Sequence, residues 1–172
     1  MTTTIDGSAS VTINSGAILG ITSGTAQAST SGTSIDFTGI PSWVKRITVM
    51  FNGVSTSGTS SVQVQLGIST GPIITGYLSN ASNVTGGGSS TTGMIVYGQA
   101  ASDTRTGLLT IVTLGSNLWV SSGVWFSNPT AVNSNWSGSG TVTLSSTLDR
   151  VRITTVNGTD TFDAGSINIL YE

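Results

Sequence analysis

Few side chains of this sequence could act as catalysts, and only two of its seven acidic residues stand close together. Asp160 and Asp163 lie in the segment TDTFD. Two carboxylates that flank a cleft can hydrolyse a glycosidic bond, whereas a calcium loop needs more carboxylates or asparagines at alternating positions. The segment precedes the last predicted strand, so we interpret the pair as a solvated turn.

Other reactive residue types are absent or lack the neighbours they need. The chain has no histidine and no cysteine, which excludes a Ser-His-Asp triad, a histidine base and thiolate chemistry. The glycine-rich segment 85–93 lacks the Gly-Lys-Ser/Thr ending of a phosphate-binding loop, and we predict a surface loop there. We therefore expect no catalytic residue, no metal and no cofactor.

Aromatic residues concentrate between positions 117 and 136. Trp136 stands in the polar stretch VNSNWSGSG, which predicts a loop. An exposed indole can stack on a sugar ring while neighbouring amides bind its hydroxyls. The alternative is that the indole rings fill the core or a subunit interface. The candidate glycan contacts are Trp119, Trp125, Asn133, Asn135 and Trp136.

Charged residues make up only 7% of the chain, and the net charge is -2. A typical soluble protein has about 25% charged residues. No broad basic surface is expected, so we predict no nucleic-acid partner. Asp103 precedes Arg105 by two positions, and Asp149 adjoins Arg150. These neighbours predict local ion pairs or bridges between subunits. The candidate interface charges are Arg105, Arg150 and Arg152.

Two basic residues, Lys45 and Arg46, stand together before an alternating apolar run. Such a pair could bind an anion. If Ile47, Val49 and Phe51 face inward, however, Arg46 faces outward. We therefore interpret the pair as the polar start of a strand, where cations also oppose edge-to-edge pairing.

The elements that would position these residues are β-strands. Alternation in runs rich in Val, Ile and Thr predicts strands at 46–52 and 62–68. Turn formers such as Asn52-Gly53 separate the runs, and no helical periodicity of useful length occurs. We predict an all-β fold, a jelly-roll-like antiparallel β-sandwich. Further strands are predicted at 73–78, 94–98, 108–114, 117–126, 141–145, 150–156 and 166–171.

The first 30 residues are mostly small and polar, and we predict an extended N-terminal anchoring arm at 1–30 before a sandwich domain at 31–172. The candidate anchors in the arm are Ile18, Leu19 and Ile21. No apolar run approaches ~20 residues, so we expect no membrane insertion. The first residues lack a basic start and an apolar core, so we expect no signal peptide and synthesis in a host cytoplasm.

The run SIDFTGIPSWVKRITVMFNGVSTSGTSSVQVQLG at 34–67 resembles a module of tail-fibre and tail proteins of tailed bacteriophages. The segments ILGITSGTAQAST at 18–30 and GSINILYE at 165–172 are similar to the surroundings of that module. The resemblance implies an all-β, commonly trimeric protein on the virion surface, with other virion proteins as partners.

Three hypotheses of function follow. The first is a trimeric tail-fibre or tail-tip protein that contacts host surface polysaccharide without catalysis. The second is a head-decoration protein, a cement protein or capsid fibre, that attaches to the capsid through its N-terminal arm. The third is an enzyme that shortens capsule polysaccharide, which would need a carboxylate pair that the sequence does not clearly offer.

Overall fold

The computed structural model describes residues 11–13, 16–18, 20–98, 100–128 and 134–172. Over these ranges the chain forms β-strands and no helix, and so no helix there could cross a membrane. In chain order the strands are β1 (Val11–Ile13), β2 (Gly16–Ile18), β3 (Thr22–Ser23), β4 (Gln27–Ala28), β5 (Ser34–Thr38), β6 (Arg46–Thr56), β7 (Val62–Ile68), β8 (Gly71–Pro72), β9 (Leu78–Ser82), β10 (Gly87–Ser90), β11 (Met94–Val96), β12 (Thr104–Gly115), β13 (Leu118–Asn128), β14 (Ser134–Thr143), β15 (Arg150–Thr155) and β16 (Phe162–Tyr171).

The strands form two antiparallel sheets that share one hydrophobic core. The larger sheet has the order β10-β9-β14-β13-β12-β6-β16, and β3 and β4 both pair with β16 at its edge. The smaller sheet has the order β11-β7-β15-β5, with β8 beside β7. β1 and β2 pair with each other, antiparallel, in a separate two-stranded sheet. The prediction of an all-β sandwich is confirmed, and the jelly-roll connectivity stays a prediction.

Alternation in β6 places apolar side chains in the core. Ile47, Val49 and Phe51 are buried, whereas Lys45 and Arg46 are exposed. Arg46 forms an ion pair with Glu172, the residue after β16. The predicted outward position of the basic pair is therefore confirmed.

The dipeptide Asn52-Gly53, a predicted turn, instead forms an irregularity within β6. Phe51 pairs with Gly107 and Val54 with Arg105, so β6 contains one residue more than β12 over this interval. Gly53 has a φ of 63°, and Gly165 on the neighbouring strand has a φ of 92°. Such a glycine-containing β-bulge lets the strand continue with an increased twist.

The predicted arm and domain boundary differ from the structure at 22–30, because β16 offers a free edge to this segment. The backbone N–H of Gly24 donates to the carbonyl of Ile169 at 2.8 Å. Ser29 is buried, and its hydroxyl donates to the carbonyl of Ala164 at 2.8 Å. The sandwich therefore begins near Thr22 rather than at residue 31.

Two other predicted segments also differ. Most of 73–78 lies outside strands, and the predicted loop at 85–93 contains β10. In the first segment, Tyr77 is buried and its hydroxyl accepts a hydrogen bond from the N–H of Leu66 at 2.7 Å. The backbone N–H of Ile73 donates to the carbonyl of Leu66 at 2.8 Å, so one backbone bond and this side-chain contact hold the segment against β7.

Candidate functional site

The three tryptophans proposed to contact a glycan are buried. The exposed fractions are 4% for Trp119, 1% for Trp125 and 6% for Trp136. Trp136 lies in β14, which pairs with both β13 and β9, and its side chain points into the core, as does that of Val142. Burial contradicts ring stacking on a sugar and agrees with the alternative that these rings fill the core. Asn135 is exposed, and Asn133 lies outside the described residues.

Specific contacts hold these rings between the sheets. The Trp125 indole N–H donates to the carbonyl of Tyr97 at 3.1 Å. The rings of Tyr97 and Trp136 lie 4.8 Å apart at 49°, which is within the range of favourable aromatic pairs. A Cβ atom at Gly138 would lie only 2.7 Å from Cη2 of Trp125. Glycine at position 138 therefore makes room for the ring.

Asn135 lines an open groove of about 640 Å³ at one end of the larger sheet. We call it the Asn135 groove; its lining includes Ser82, Val84, Thr85, Val124, Asn135 and Ser137. None of the described residues that line it carries a charge. The lining can exchange hydrogen bonds with a neutral ligand and offers no group for acid–base catalysis.

A tight turn between β9 and β10 builds one wall of the Asn135 groove. The side-chain oxygen of Asn83 accepts hydrogen bonds from the N–H of Thr85 at 2.8 Å and the N–H of Gly86 at 2.9 Å. This Asx turn leaves Val84 fully exposed at its tip. The sequence analysis missed these residues, although the Asn-x-Thr-Gly order is a signal for such a turn.

Arg105 is fully buried, so the prediction that it lies at a subunit interface is wrong. It points inward from β12, and its Nη1 donates to the carbonyl of Asp103 at 3.2 Å. Its Nε and Nη2 have no hydrogen-bond partner among the described residues. Burial lowers the pKa of Arg105, and the charges of Asp103 and Asp163 oppose that shift.

Arg150 and Arg152 form ion pairs within the chain. Arg150 contacts Asp149 at 3.0 Å. Arg152 donates two hydrogen bonds of 2.8 Å to the carboxylate of Asp36 on β5, and these bonds raise the pKa of Arg152. The local-pair alternative is therefore the one observed, and a bridge to another subunit stays a prediction.

The two acidic residues Asp160 and Asp163 hold neighbouring segments together by hydrogen bonds. Asp160 accepts hydrogen bonds from the N–H of Ser60 at 2.9 Å and the amide of Asn157 at 2.7 Å. Asp163 accepts one from the hydroxyl of Ser55. Across the described ranges, no three acidic side chains group closely enough to hold a metal ion. Asp160 lies in a turn as interpreted from the sequence, whereas Asp163 is exposed within β16 and is bonded to Ser55 of β6.

The candidate anchors fall at the boundary of the described residues. Ile21 is 65% exposed and directly precedes β3. Ile18 ends β2, and Leu19 lies outside the described residues. Ile21 is therefore accessible to a partner.

Comparison of this chain with protein-family models, with curated proteins and with solved structures found no match in any of the three.

Proposed function

We propose that this chain is a non-enzymatic structural protein on the surface of a bacteriophage particle and that its Asn135 groove contacts a neutral glycan of the host. The observation that carries the proposal is the lining of this groove, where amide, hydroxyl and aliphatic groups occur together without a charge. Neutral sugars present hydroxyls and C–H faces, which such a lining complements. The resemblance of residues 34–67 to phage tail proteins supports the place on the virion.

Three groups of the Asn135 groove would bind the sugar. The exposed amide of Asn135 can donate and accept. Ser82 and Ser137, both exposed, are directly paired between β9 and β14, so their hydroxyls are neighbours. Trp136 also lines the groove but is only 6% exposed, so its ring offers too little surface to stack on a sugar, and each site should bind weakly. A trimer, as the resemblance implies, would recover affinity through multivalency.

An amide deletion tests the glycan contact. Neutral polysaccharide fragments from the host envelope are titrated against the wild type and the Asn135→Ala variant, with binding followed by NMR. Loss of one hydrogen bond, worth about 1 kcal/mol, should weaken binding roughly five-fold.

Asn52→Ala is the matched control, because Asn52 is an exposed asparagine of the same sheet that is not among the residues lining the groove. Its affinity should equal that of the wild type. Absence of binding by the wild type, or equal weakening by both variants, would contradict a glycan site at Asn135.

The second candidate is a head-decoration protein, favoured by the course of the N-terminal segment. The N–H groups of Gly24 and Ser29 bind carbonyls of β16 at 2.8 and 3.0 Å. The described pairing with β16 begins at Thr22, and Ile21, directly before it, is exposed. A capsid subunit could take up this segment as added backbone and apolar anchors.

Deletion of residues 2–20 tests that candidate in a particle-binding assay. Attachment to capsids should be lost while the sandwich remains folded. Unchanged occupancy on particles would exclude the anchoring role, and binding to tails but not to heads would favour the first candidate.

A further inference from the structure

Two asparagines of this chain are directly followed by glycine, in the pairs Asn52-Gly53 and Asn157-Gly158. In such a pair the backbone nitrogen of the glycine can attack the side-chain amide carbon of the asparagine, because glycine has no Cβ to hinder the approach. Asparagine counts among the thermolabile residues of proteins for this reason. The two pairs are the same dipeptide, so a large difference in their reactivity must come from the fold.

The reaction, a deamidation, needs only water as a second reactant. The glycine nitrogen forms a bond to Cγ of the asparagine, the bond between Cγ and Nδ2 breaks, and ammonia leaves with the proton of the glycine N–H. One water molecule then hydrolyses the five-membered succinimide ring. Opening at the Cγ carbonyl gives aspartate. Opening at the main-chain carbonyl gives isoaspartate, whose backbone is longer by one methylene group.

The fold holds both reacting groups of the pair Asn157-Gly158. The Oδ1 atom of Asn157 accepts hydrogen bonds from the hydroxyl of Thr155 at 2.8 Å and from the N–H groups of Thr159 and Asp160 at 3.0 and 3.2 Å. Its Nδ2 donates to the carboxylate of Asp160 at 2.7 Å. The nitrogen of Gly158 donates to the backbone carbonyl of Thr155 at 3.0 Å. Reaction at Asn157 therefore requires several hydrogen bonds to break together.

The pair Asn52-Gly53 is held much less firmly. Asn52 is exposed, and no hydrogen bond to another described residue holds its side-chain amide. The nitrogen of Gly53 donates to the hydroxyl of Thr106 at 2.9 Å, and this contact is exposed. Rotation of one side-chain bond removes that hydroxyl, whereas release of the Gly158 nitrogen displaces backbone. Over the described residues, one side-chain contact therefore opposes the reaction at Asn52.

The backbone at Asn52-Gly53 departs from regular pairing on both sides of β6. The register with β12 shifts between residues 105 and 107, and the register with β16 shifts between residues 164 and 166. Asn52 pairs with Ser166, but Gly53 pairs with no residue of either strand. The attacking nitrogen thus lies outside the regular ladder, where local opening costs less than in an uninterrupted strand.

We propose that Asn52 deamidates spontaneously in the folded protein, that the turn at Asn157 protects the second pair, and that the hydroxyl of Thr106 limits the rate at Asn52. Each event adds one negative charge to a chain whose net charge is -2. Asn52 does not line the Asn135 groove, so the modification is independent of the proposed glycan contact.

The isoaspartate product fits poorly into β6. A Cβ atom at Gly165 of β16 would lie 2.5 Å from the carbonyl oxygen of Gly53 and 2.6 Å from that of Asn52. The two backbones are therefore in close contact, and an added methylene group in β6 must push them apart. Molecules with isoaspartate at position 52 should unfold at a lower urea concentration than unmodified molecules.

Peptide mapping by mass spectrometry tests the proposal on the full-length protein, stored at mildly alkaline pH. In the folded protein, Asn52 should convert at least roughly ten-fold faster than Asn157, because at least two more hydrogen bonds must break at the second site. In urea, where the chain is unfolded, the two rates should become similar. Faster conversion of Asn157 in the folded protein would overturn the proposal, as would an Asn52 that stays intact while the unfolded chain reacts.

The variant Thr106→Val tests the role of the hydroxyl, because valine keeps the branched shape and suits a strand. Conversion of Asn52 should become about five-fold faster, as expected for the loss of one hydrogen bond. Thr106→Ser keeps a hydroxyl and should retain the wild-type rate. Thr110→Val is the matched control, since Thr110 lies four residues further along β12. Equal rates in Thr106→Val and Thr110→Val would overturn the role assigned to Thr106.

Isoelectric focusing of the stored protein gives a second readout. The wild type should accumulate a more acidic form, and Asn52→Gln should accumulate it far more slowly, because glutamine would have to close a larger ring. Circular dichroism shows whether each variant is folded. An acidic form that appears in Asn52→Gln at the wild-type rate would overturn the assignment to Asn52.

Discussion

Gly138 and Trp125 pack against each other on adjacent strands, and a double-mutant cycle can measure that contact. A Cβ at position 138 would lie 2.7 Å from Cη2 and 3.1 Å from Cζ3 of the Trp125 ring. Gly138 does not have a positive φ, so its backbone accepts alanine. The expected cost of Gly138→Ala is therefore steric, about 1–3 kcal/mol of unfolding free energy.

Trp125→Phe removes the far edge of the ring and relieves that overlap. The variant loses the hydrogen bond from the indole to the carbonyl of Tyr97 at 3.1 Å, worth about 1 kcal/mol. The vacated space costs about 1 kcal/mol more. In this background Gly138→Ala should cost clearly less, because the added methyl group occupies the vacated space and reduces the entropy of the unfolded chain; the contact with the Cβ of Ala81 at 3.1 Å remains.

Urea unfolding of the four proteins, followed by far-UV circular dichroism at one protein concentration, measures the cycle. The interaction energy should reach at least about 1 kcal/mol, or roughly 2–4 °C in Tm for a chain of this size. Gly140→Ala is the control, because its Cβ would meet Ser79 rather than Trp125. Equal costs of Gly138→Ala in both backgrounds, within about 0.5 kcal/mol, would refute the packing argument.

Two further predictions concern alkaline pH and the N-terminal segment. Burial raises the pKa of Tyr77, so above its usual pKa near 10 the unfolded chain releases a proton that the folded chain keeps. The unfolding free energy should then fall about 1.4 kcal/mol per pH unit more steeply for the wild type than for Tyr77→Phe. Urea titrations between pH 8 and 11 measure the difference, and parallel curves would contradict it. Deletion of residues 2–20 should leave stability unchanged, whereas deletion of 2–30 should lower it by about 2–4 kcal/mol, because the bonds of Gly24 and Ser29 to β16 are lost. Equal urea midpoints for the two deletions would show that this segment does not stabilise the sandwich.

The sequence predicts a core strand well where apolar and polar residues alternate within the strand itself. Ile47, Val49 and Phe51 are spaced two apart, and all three are buried as expected. The fold class follows from several such runs. Alternation does not reveal that the strand continues past Asn52-Gly53, because a bulge and a turn require the same glycine conformation.

The end of β14 falls in the predicted strand at 141–145, but its first part, residues 134–140, could not be predicted from its own residues. Its segment SNWSGSGTVT is rich in small polar residues that have low strand propensity. Both neighbours, β13 and β9, supply hydrogen bonds to it, and Gly138 is needed by a ring on another strand. These are non-local causes, and they convert a predicted polar loop with an exposed Trp136 into a strand with a buried one.

The spacing of Arg105 along β12 predicts that its side chain points inward. It shares the parity of Leu109 and Ile111 on β12, which are both buried. Parity therefore indicated an inward position, but a charge in the core is rare enough to favour the surface. The space for its guanidinium comes from Gly98, where a Cβ would overlap that group, and this contact is not visible in the sequence.

The pairing of the N-terminal segment with β16 affects how the protein folds during synthesis. Ser29 and its partner Ala164 are separated by 135 residues. At about 5–20 residues per second, a ribosome needs roughly 7 to 27 seconds to make the intervening chain. Throughout that time β3, β4 and the edge of β6 that receives β16 lack their partners. The larger sheet is therefore completed late. Until β16 has been made, the nascent chain must stay soluble with unpaired strand edges.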